Sequence, residues 1–332
     1  MAFVRLLFRL GLVAVVLALG VARPAAADDH VVPTFAPACH AAPGADAGVA
    51  ALRAREAWIC DNTRWRSDVP AAWLRFEAES WQGQKTPRYF FTRIARFDAI
   101  TFHAVDADGT IRSHRLTEAD GTPFAAGPVF QLPLPQITAD TELLFAQVEG
   151  PHSIPLLTEA RITHDPGKAE WSQIDMMLLA FVTGMLVLPL LFDISFFVVL
   201  RERFVVLHAA MVSAMMVYVL TAGGLASAFV TLPVTLMAVL APLSWAVGAG
   251  ISALFLVAFL ERGAQSRLMR RVTVATGWFT MFVPGFFALQ LDATQPFDDV
   301  AYFVTFLPAI AVISAAVIEA VLRGSRSARF IA

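Results

Sequence analysis

The sequence predicts a multidomain membrane protein, in which an all-β sandwich or jelly roll at residues 28–170 precedes an α-helical transmembrane bundle at residues 171–332. Of the 332 residues, 57% are hydrophobic and only 16% are charged, whereas soluble domains contain about 25% charged residues. Residues 28–170 hold 13 Lys or Arg and 19 Asp or Glu, but residues 171–332 hold only 9 and 8. The first region alternates apolar and polar side chains, and the second consists of long apolar runs. The formal net charge of −2 argues against an extended basic surface for nucleic acid.

The first 27 residues have the pattern of a signal peptide. Arg5 and Arg9 precede an apolar run over residues 10–21, and alanines follow at residues 25–27. This pattern predicts cleavage after Ala27 and export of the next region to the periplasm. An uncleaved anchor is the alternative, although the run is shorter than the roughly 20 residues that span a bilayer.

Only two cysteines occur, Cys39 and Cys60, and both lie in the exported region. An oxidising compartment allows such a pair to persist as a disulfide. Closing this loop contributes about 3 kcal/mol in the chain-entropy model. A zinc site is not expected, because two cysteines with only His40 adjacent fall short of four ligands.

The pattern of the exported region predicts short strands separated by turns. Large apolar and charged side chains alternate over residues 72–77, and residues 98–116 form a predicted hairpin whose turn contains Asp108 and Gly109. With further candidates, about seven or eight strands are expected, which favours a sandwich or jelly roll. The further candidate strands are residues 128–134, 141–148 and 154–163, and residues 45–55 are a candidate helix.

Several tryptophans and charged residues of this region could form a platform for a sugar ring. The alternative is that the tryptophans pack in the core and the hairpins. The candidate ligand-binding residues are Trp65, Trp73, Trp81, Arg64, Arg66 and Asp68, with Trp58 nearby. No metal ligand set and no cofactor are predicted, because the histidines are scattered without metal-binding spacing.

Charge fixes the number of membrane spans. Residues 204–260 contain no Lys, Arg, Asp or Glu over 57 positions and must fold back on themselves. With two helices in this run, all nine arginines of residues 171–332 fall on one side, and the exported domain falls on the other, as the positive-inside rule requires. With three helices, the arginines at 262–271 would be outside. We therefore predict five spans and a cytoplasmic C-terminus; the spans are near residues 174–200, 204–225, 236–260, 272–291 and 300–322.

Two polar residues lie within the predicted spans at similar depth. Asp193 and His208 flank the turn at residues 201–203 and are predicted to pair across this hairpin; the alternative is that each meets backbone or solvent at the membrane boundary. Trp171 lies between the exported domain and the first span, where we expect it to anchor the linker at the membrane interface.

The order of segments resembles that of bacterial seven-transmembrane receptors with diverse intracellular signalling modules. Residues 186–203, with the sequence LVLPLLFDISFFVVLRER, are similar to the family's first span and its Arg-acid-Arg turn, although Asp193 stands where an Asn is expected. Residues 217–224, 253–260 and 323–330 resemble the ends of the second, third and fifth spans and the start of the sixth. Upstream, residues 73–76 and 98–109 look like the family's second type of extracellular domain, a jelly roll associated with carbohydrate binding.

The resemblance implies the input and transmission part of a sensor in a bacterial inner membrane. Family members have seven spans followed by a cytoplasmic output module, commonly a diguanylate cyclase or a histidine kinase. The 332 residues contain no Gly-Gly-Asp-Glu-Phe sequence, phosphoacceptor helix or nucleotide-binding glycine loop. We therefore expect no catalytic residues here, a chain truncated before its output module, a periplasmic small-molecule or carbohydrate ligand, and a homodimer. The alternative function is a transporter or membrane scaffold subunit with a periplasmic binding domain.

Overall fold

The computed structural model describes residues 32–42, 58–123, 129–168, 170–261, 263–295 and 297–331, without the side chains of 170–176, 330 and 331. The predicted signal peptide and the candidate helix at residues 45–55 lie outside this part of the chain.

Two antiparallel sheets face each other in the N-terminal region, as the sequence predicted. The order is β1-β10-β4-β8-β7 in the first sheet and β2-β3-β9-β5-β6 in the second. The strands are β1 (Thr34–Phe35), β2 (Cys39–Ala41), β3 (Ala71–Glu77), β4 (Tyr89–Arg93), β5 (Ala99–Asp106), β6 (Ile111–Thr117), β7 (Thr122–Pro123), β8 (Val129–Pro133), β9 (Thr141–Glu149) and β10 (Arg161–Thr163).

Nested strand pairs make the sandwich a jelly roll. Strand β5 pairs with β6, β4 with β8, β3 with β9 and β1 with β10. Each pair closer to the chain ends encloses the previous one, and successive pairs alternate between the sheets, as in a long hairpin rolled into two layers. The predicted hairpin is present, with Val105 opposite Ile111 and Gly109 at a φ of 89° that favours glycine.

One predicted strand is wrong over most of its length. Residues 154–163 were expected to be extended, but Ile154–Thr158 form helix α1 and only Arg161–Thr163 belong to a strand. Pro155 lies in the first turn of this helix, where its missing N–H costs no hydrogen bond. A short apolar run of this kind does not distinguish a strand from a helix by its periodicity.

The sandwich has two apolar clusters. The main one lies between the sheets and contains fully buried aromatic and aliphatic side chains such as Phe76, Phe90 and Phe102. The smaller one gathers Trp58, Trp73 and Phe145 beside Cys39. Cys39 and Cys60 form the predicted disulfide, which fastens β2 to the segment that follows Trp58.

The C-terminal region is a helical bundle. Four segments are long and apolar enough to cross a membrane, namely Met177–Leu200, Arg203–Ala222, Val234–Phe259 and Asp298–Leu322. The helices are α2 (Glu170–Leu200), α3 (Arg203–Ala222), α4 (Val234–Phe259), α5 (Arg267–Phe287), α6 (Asp298–Val304), α7 (Leu307–Leu322) and α8 (Ala328–Ile331). The protein is therefore a multi-pass membrane protein.

Helix α5 corresponds to the predicted span at residues 272–291, but it is not among the four apolar segments in the described part of the chain. Its first turns carry three arginines, which lower its mean hydropathy. It still packs closely on α4. The small distance is seen at Gly250, where an added Cβ would lie only 2.5 Å from the Gly277 carbonyl oxygen. Small residues thus let these two helices approach each other.

The two ends of the bundle differ in charge. At one end, three contacts bring together the turns that carry the described arginines. Phe204 contacts Phe259, and the Ser266 N–H donates to Glu319. The Ser327 N–H donates to Glu261. The other end, with the acidic link after α5, contacts the sandwich. The basic end therefore lies away from the sandwich.

Candidate functional site: the joint between sandwich and bundle

The sandwich meets the bundle at a joint built from sequence-distant segments. Sandwich loops near residues 67–70, 94–98 and 150–154 contact the described residues of the link between α5 and α6, 288–295 and 297, and the first turn of α6. The contacts fall into a polar group on this link and an apolar group at the start of α4.

Gln295 ties three sandwich carbonyls to the link. Its Nε2 donates to the carbonyl oxygens of Ser67 at 3.0 Å, Val69 at 3.2 Å and Pro151 at 3.0 Å. The amide therefore joins two separate sandwich loops through one bundle side chain. A displacement of either loop must stretch these hydrogen bonds or move Gln295.

Arg96 holds a second point of the link. Its guanidinium donates to Asp292 Oδ1 at 2.7 Å and to the Gln290 carbonyl, and its backbone N–H donates to Gln290 Oε1 at 3.3 Å. Gln290 has a φ of 49°, which is uncommon for a residue other than glycine. This uncommon backbone conformation therefore occurs at the residue that Arg96 of the sandwich contacts. Uncommon backbone conformations of this kind cluster at functional sites.

A buried pair lies at the centre of the joint. His152 Nδ1 is 3.2 Å from Asp298 Oδ2, and both side chains are almost fully buried. The neighbouring Asp299 accepts hydrogen bonds through Oδ2 from Ser67 Oγ and from the Ile154 N–H, each at 3.3 Å. The first turn of α6 is therefore bonded to the sandwich through two consecutive carboxylates.

In the apolar part of the joint, the start of α4 packs into the sandwich core. Val234, the first residue of α4, is fully buried and belongs to the main sandwich core. A Cβ added at Gly121 would lie 3.1 Å from Val234 Cγ2, so glycine makes room for this contact. Beside it, Glu118 accepts the Phe97 N–H at 2.9 Å, and burial raises the pKa of this carboxyl.

The predicted tryptophan platform is not formed. Trp73 and Trp81 are 1% and 6% exposed and pack in the two apolar clusters, and Trp58 is buried beside Trp73. The side chains of β3 alternate between the two faces of the second sheet. Both faces are apolar and buried, because the smaller cluster covers the outer face. These tryptophans therefore pack as core residues, the alternative that the sequence left open.

The remaining platform residues lie near the disulfide. Trp65, Arg64 and Arg66 line a cavity of about 340 Å³ with His40, and Asp68 accepts from Arg66 Nε at 2.9 Å. The Trp65 ring stacks on the His40 ring at a centroid distance of 3.7 Å. Burial lowers the pKa of His40. The sequence did not predict this stacking of Trp65 on His40.

The structure brings Asp193 and His208 together. His208 Nδ1 lies 2.7 Å from Asp193 Oδ2 across the turn between α2 and α3, and the His208 ring contacts Phe255 of α4. Trp171 is in the first turn of α2, and its side chain lies outside the described atoms. Within the described residues, no group of three or more His, Cys, Asp and Glu is placed to hold a metal.

Sequence reasoning missed the joint. Asp292, Asp298 and Asp299 were recognisable as an acidic link without a basic residue, but this signal indicated only the side of the membrane. No pattern marks Gln295 or Arg96, because their partners are distant in sequence.

Residues 175–332 match a family model described as "7TM diverse intracellular signalling". Comparison with curated proteins and with solved structures gives no match for the chain.

Proposed function

We propose that this chain is the input and transmission part of a bacterial sensor of the 7TM diverse intracellular signalling family, because that family's model matches residues 175–332. Its sandwich lies in the periplasm and receives a small molecule or a carbohydrate. Its bundle lies in the inner membrane and controls a cytoplasmic effector outside these 332 residues, a diguanylate cyclase or a histidine kinase. The receptor works as a homodimer.

The observation that carries this proposal is the set of hydrogen bonds from the Gln295 side-chain amide, whose two N–H groups are shared among three sandwich carbonyl oxygens. Through it, the two sandwich loops are fixed to the link that continues into α6 and α7. A ligand changes the equilibrium between two arrangements of the bundle only if it binds them with different affinity. The joint supports such a difference, because a ligand that shifts a sandwich loop must either stretch the shared hydrogen bonds or move Gln295, which lies just before α6.

Gln295→Ala tests this transmission in the full chain reconstituted in nanodiscs. We expect faster hydrogen exchange at the far end of the bundle, at residues 200–204, 261–266 and 323–331, because the joint no longer restrains α6. The matched control is Gln82→Ala, which changes an exposed glutamine in a sandwich turn. Faster exchange confined to the joint, with no change at the far end, contradicts transmission through the bundle.

Trp171→Ala tests the linker at the start of α2 separately. If Trp171 anchors the linker, the substitution alters effector output while the affinity of the sandwich for its ligand stays the same. Unchanged output counts against this role.

If the protein is instead a transporter, we expect substrate flux in liposomes that is independent of any effector.

A further inference from the structure

The exposed side of α5 combines positive charge and apolar surface in one stripe. Residues that are 3, 4, 7, 11 and 15 positions apart lie on one face of a helix. On the opposite face of α5, Thr273, Thr276 and Thr280 are buried. The exposed face, which we call the α5 stripe, carries Arg267, Arg270, Arg271, Val274, Trp278 and Phe282.

The basic half of the α5 stripe is concave. Its three arginines line a surface cavity of about 410 Å³, and the other described lining residues are Val274 and Ala275. Further along the helix, Trp278 and Phe282 are 49% and 68% exposed, and their rings stack at a centroid distance of 6.0 Å. Trp278 lies 11 residues after Arg267, which corresponds to about 16 Å along the helix axis. A molecule in the cavity therefore meets guanidinium groups at one end and apolar side chains along the helix.

The positive charges of the α5 stripe have no counterion among the described residues. The carboxylates at this end of the bundle are bonded elsewhere. Glu319 pairs with Arg323 at 2.8 Å, and Glu261 accepts from Ser325 and Ser327. The first turn of α5 holds no acidic residue. Positive side chains three and four residues apart repel each other, and the positive end of the helix dipole repels them further. A bound anion relieves both repulsions.

We propose that the α5 stripe binds one anionic phospholipid from the leaflet at the end of the bundle away from the sandwich. The lipid phosphate accepts hydrogen bonds from the three guanidinium groups, and an acyl chain lies along Val274 and Trp278. Guanidinium groups match phosphate oxygens in geometry, and basic pockets on membrane helices bind anionic headgroups. A water-soluble phosphate would contact only the basic half of the stripe, whereas a phospholipid covers both halves.

The test is native mass spectrometry of the full chain in detergent micelles, titrated with dioleoylphosphatidylglycerol. The matched lipid is dioleoylphosphatidylcholine, which has the same acyl chains and no net charge. We expect the first phosphatidylglycerol to bind with a Kd at least fivefold lower than that of phosphatidylcholine. Glycerophosphoglycerol, which is the same headgroup without acyl chains, should not displace it at equal concentration.

A double variant tests the basic half of the stripe. Arg270→Gln combined with Arg271→Gln should raise the Kd of phosphatidylglycerol at least fivefold, to the value of phosphatidylcholine. The matched control combines Arg201→Gln with Arg203→Gln, which removes two exposed arginines at the same end of the bundle. This control should change the Kd less than twofold, because its arginines lie outside the stripe.

A second variant tests the shape of the site without changing its charge. Ala275→Trp fills the cavity between the arginines and should raise the Kd of phosphatidylglycerol at least threefold. Ala315→Trp, on an exposed face of α7, is the matched control and should leave the Kd unchanged. Circular dichroism checks that every variant is folded.

Three results overturn the proposal. Equal Kd values for the two lipids exclude recognition of the charge, and displacement by glycerophosphoglycerol assigns the site to a water-soluble phosphate. An equal loss in the two double variants shows a diffuse attraction to the whole basic end. The proposal goes beyond the proposed function and does not depend on it, because none of these results bears on the Gln295→Ala exchange experiment.

Discussion

The two ends of the bundle each contain a histidine–aspartate pair, and the pairs differ in what they connect. His152 and Asp298 are 146 positions apart and join the sandwich to α6 in a buried setting. His208 and Asp193 are 15 positions apart and join α2 to α3 within one hairpin, where the histidine is partly exposed. The first pair therefore holds two domains together, while the second only supports a connection that the chain already makes. The joint is where a substitution should cost most.

Asp298→Ala should have the largest effect. It leaves His152 buried without its partner, and breaking a buried pair costs about 3 kcal/mol. The free energy of unfolding of the full chain, measured by denaturant titration in nanodiscs, gives this value. The matched control is Asp292→Ala, whose carboxylate bonds Arg96 but is 78% exposed and should cost less than about 1 kcal/mol. Equal costs for the two variants would show that burial at the joint does not matter.

Gln295→Glu should destabilise the joint by about 2 kcal/mol, because three carbonyl oxygens then face an acceptor in place of a donor. The deficit should be present above the pKa of the introduced carboxyl and should shrink as the pH falls below it, because the protonated acid can donate again. The same titration at neutral and acidic pH measures both effects. A loss no larger than that of Gln295→Ala would contradict the reversed hydrogen bonds.

The sequence predicted features that depend on local order. Alternation and an Asp-Gly turn located the β5–β6 hairpin, and apolar runs located the helices. The pairing of Asp193 with His208 was also within reach, because a turn of three residues places both at one depth. The sequence left open whether the tryptophans form a platform or pack in the core, because periodicity alone does not reveal a second apolar cluster on the outer face of a sheet. The joint was missed because its partners are brought together only by the packed sandwich.

The Asp193–His208 pair should contribute less to the free energy of unfolding than the His152–Asp298 pair. A double-mutant cycle with Asp193→Ala and His208→Ala should give a coupling of about 1 kcal/mol, as for polar contacts between membrane helices. Unfolding of the full chain in nanodiscs measures it. Ser195→Ala on the same helix is the control, because among the described residues its hydroxyl donates to the Leu191 carbonyl of its own helix. A coupling as large as that of the His152–Asp298 pair would remove the contrast between the two ends.

The smallest effect is expected at the basic end, where Glu261 holds the segment after α7. Ser325 and Ser327 donate to its carboxylate and lower its pKa to about 2 from an ordinary value of 4.5. A depressed pKa means that the contact is at full strength above pH 4.5 and is lost as the pH falls toward 2. Because this carboxylate is solvated, Glu261→Gln should leave global stability nearly unchanged and should speed hydrogen exchange only at residues 325–331.

Glu202→Gln, an exposed carboxylate at the same end, is the matched control and should change nothing. Exchange at residues 325–331 should also rise in the unmodified chain as the pH is lowered from 5 to 3, after correction for the chemical exchange rate, and Glu261→Gln should abolish this pH dependence. If the dependence persists in the variant, another group holds the segment. The basic end would then resemble the joint, where several side chains share one contact, rather than a single local clamp.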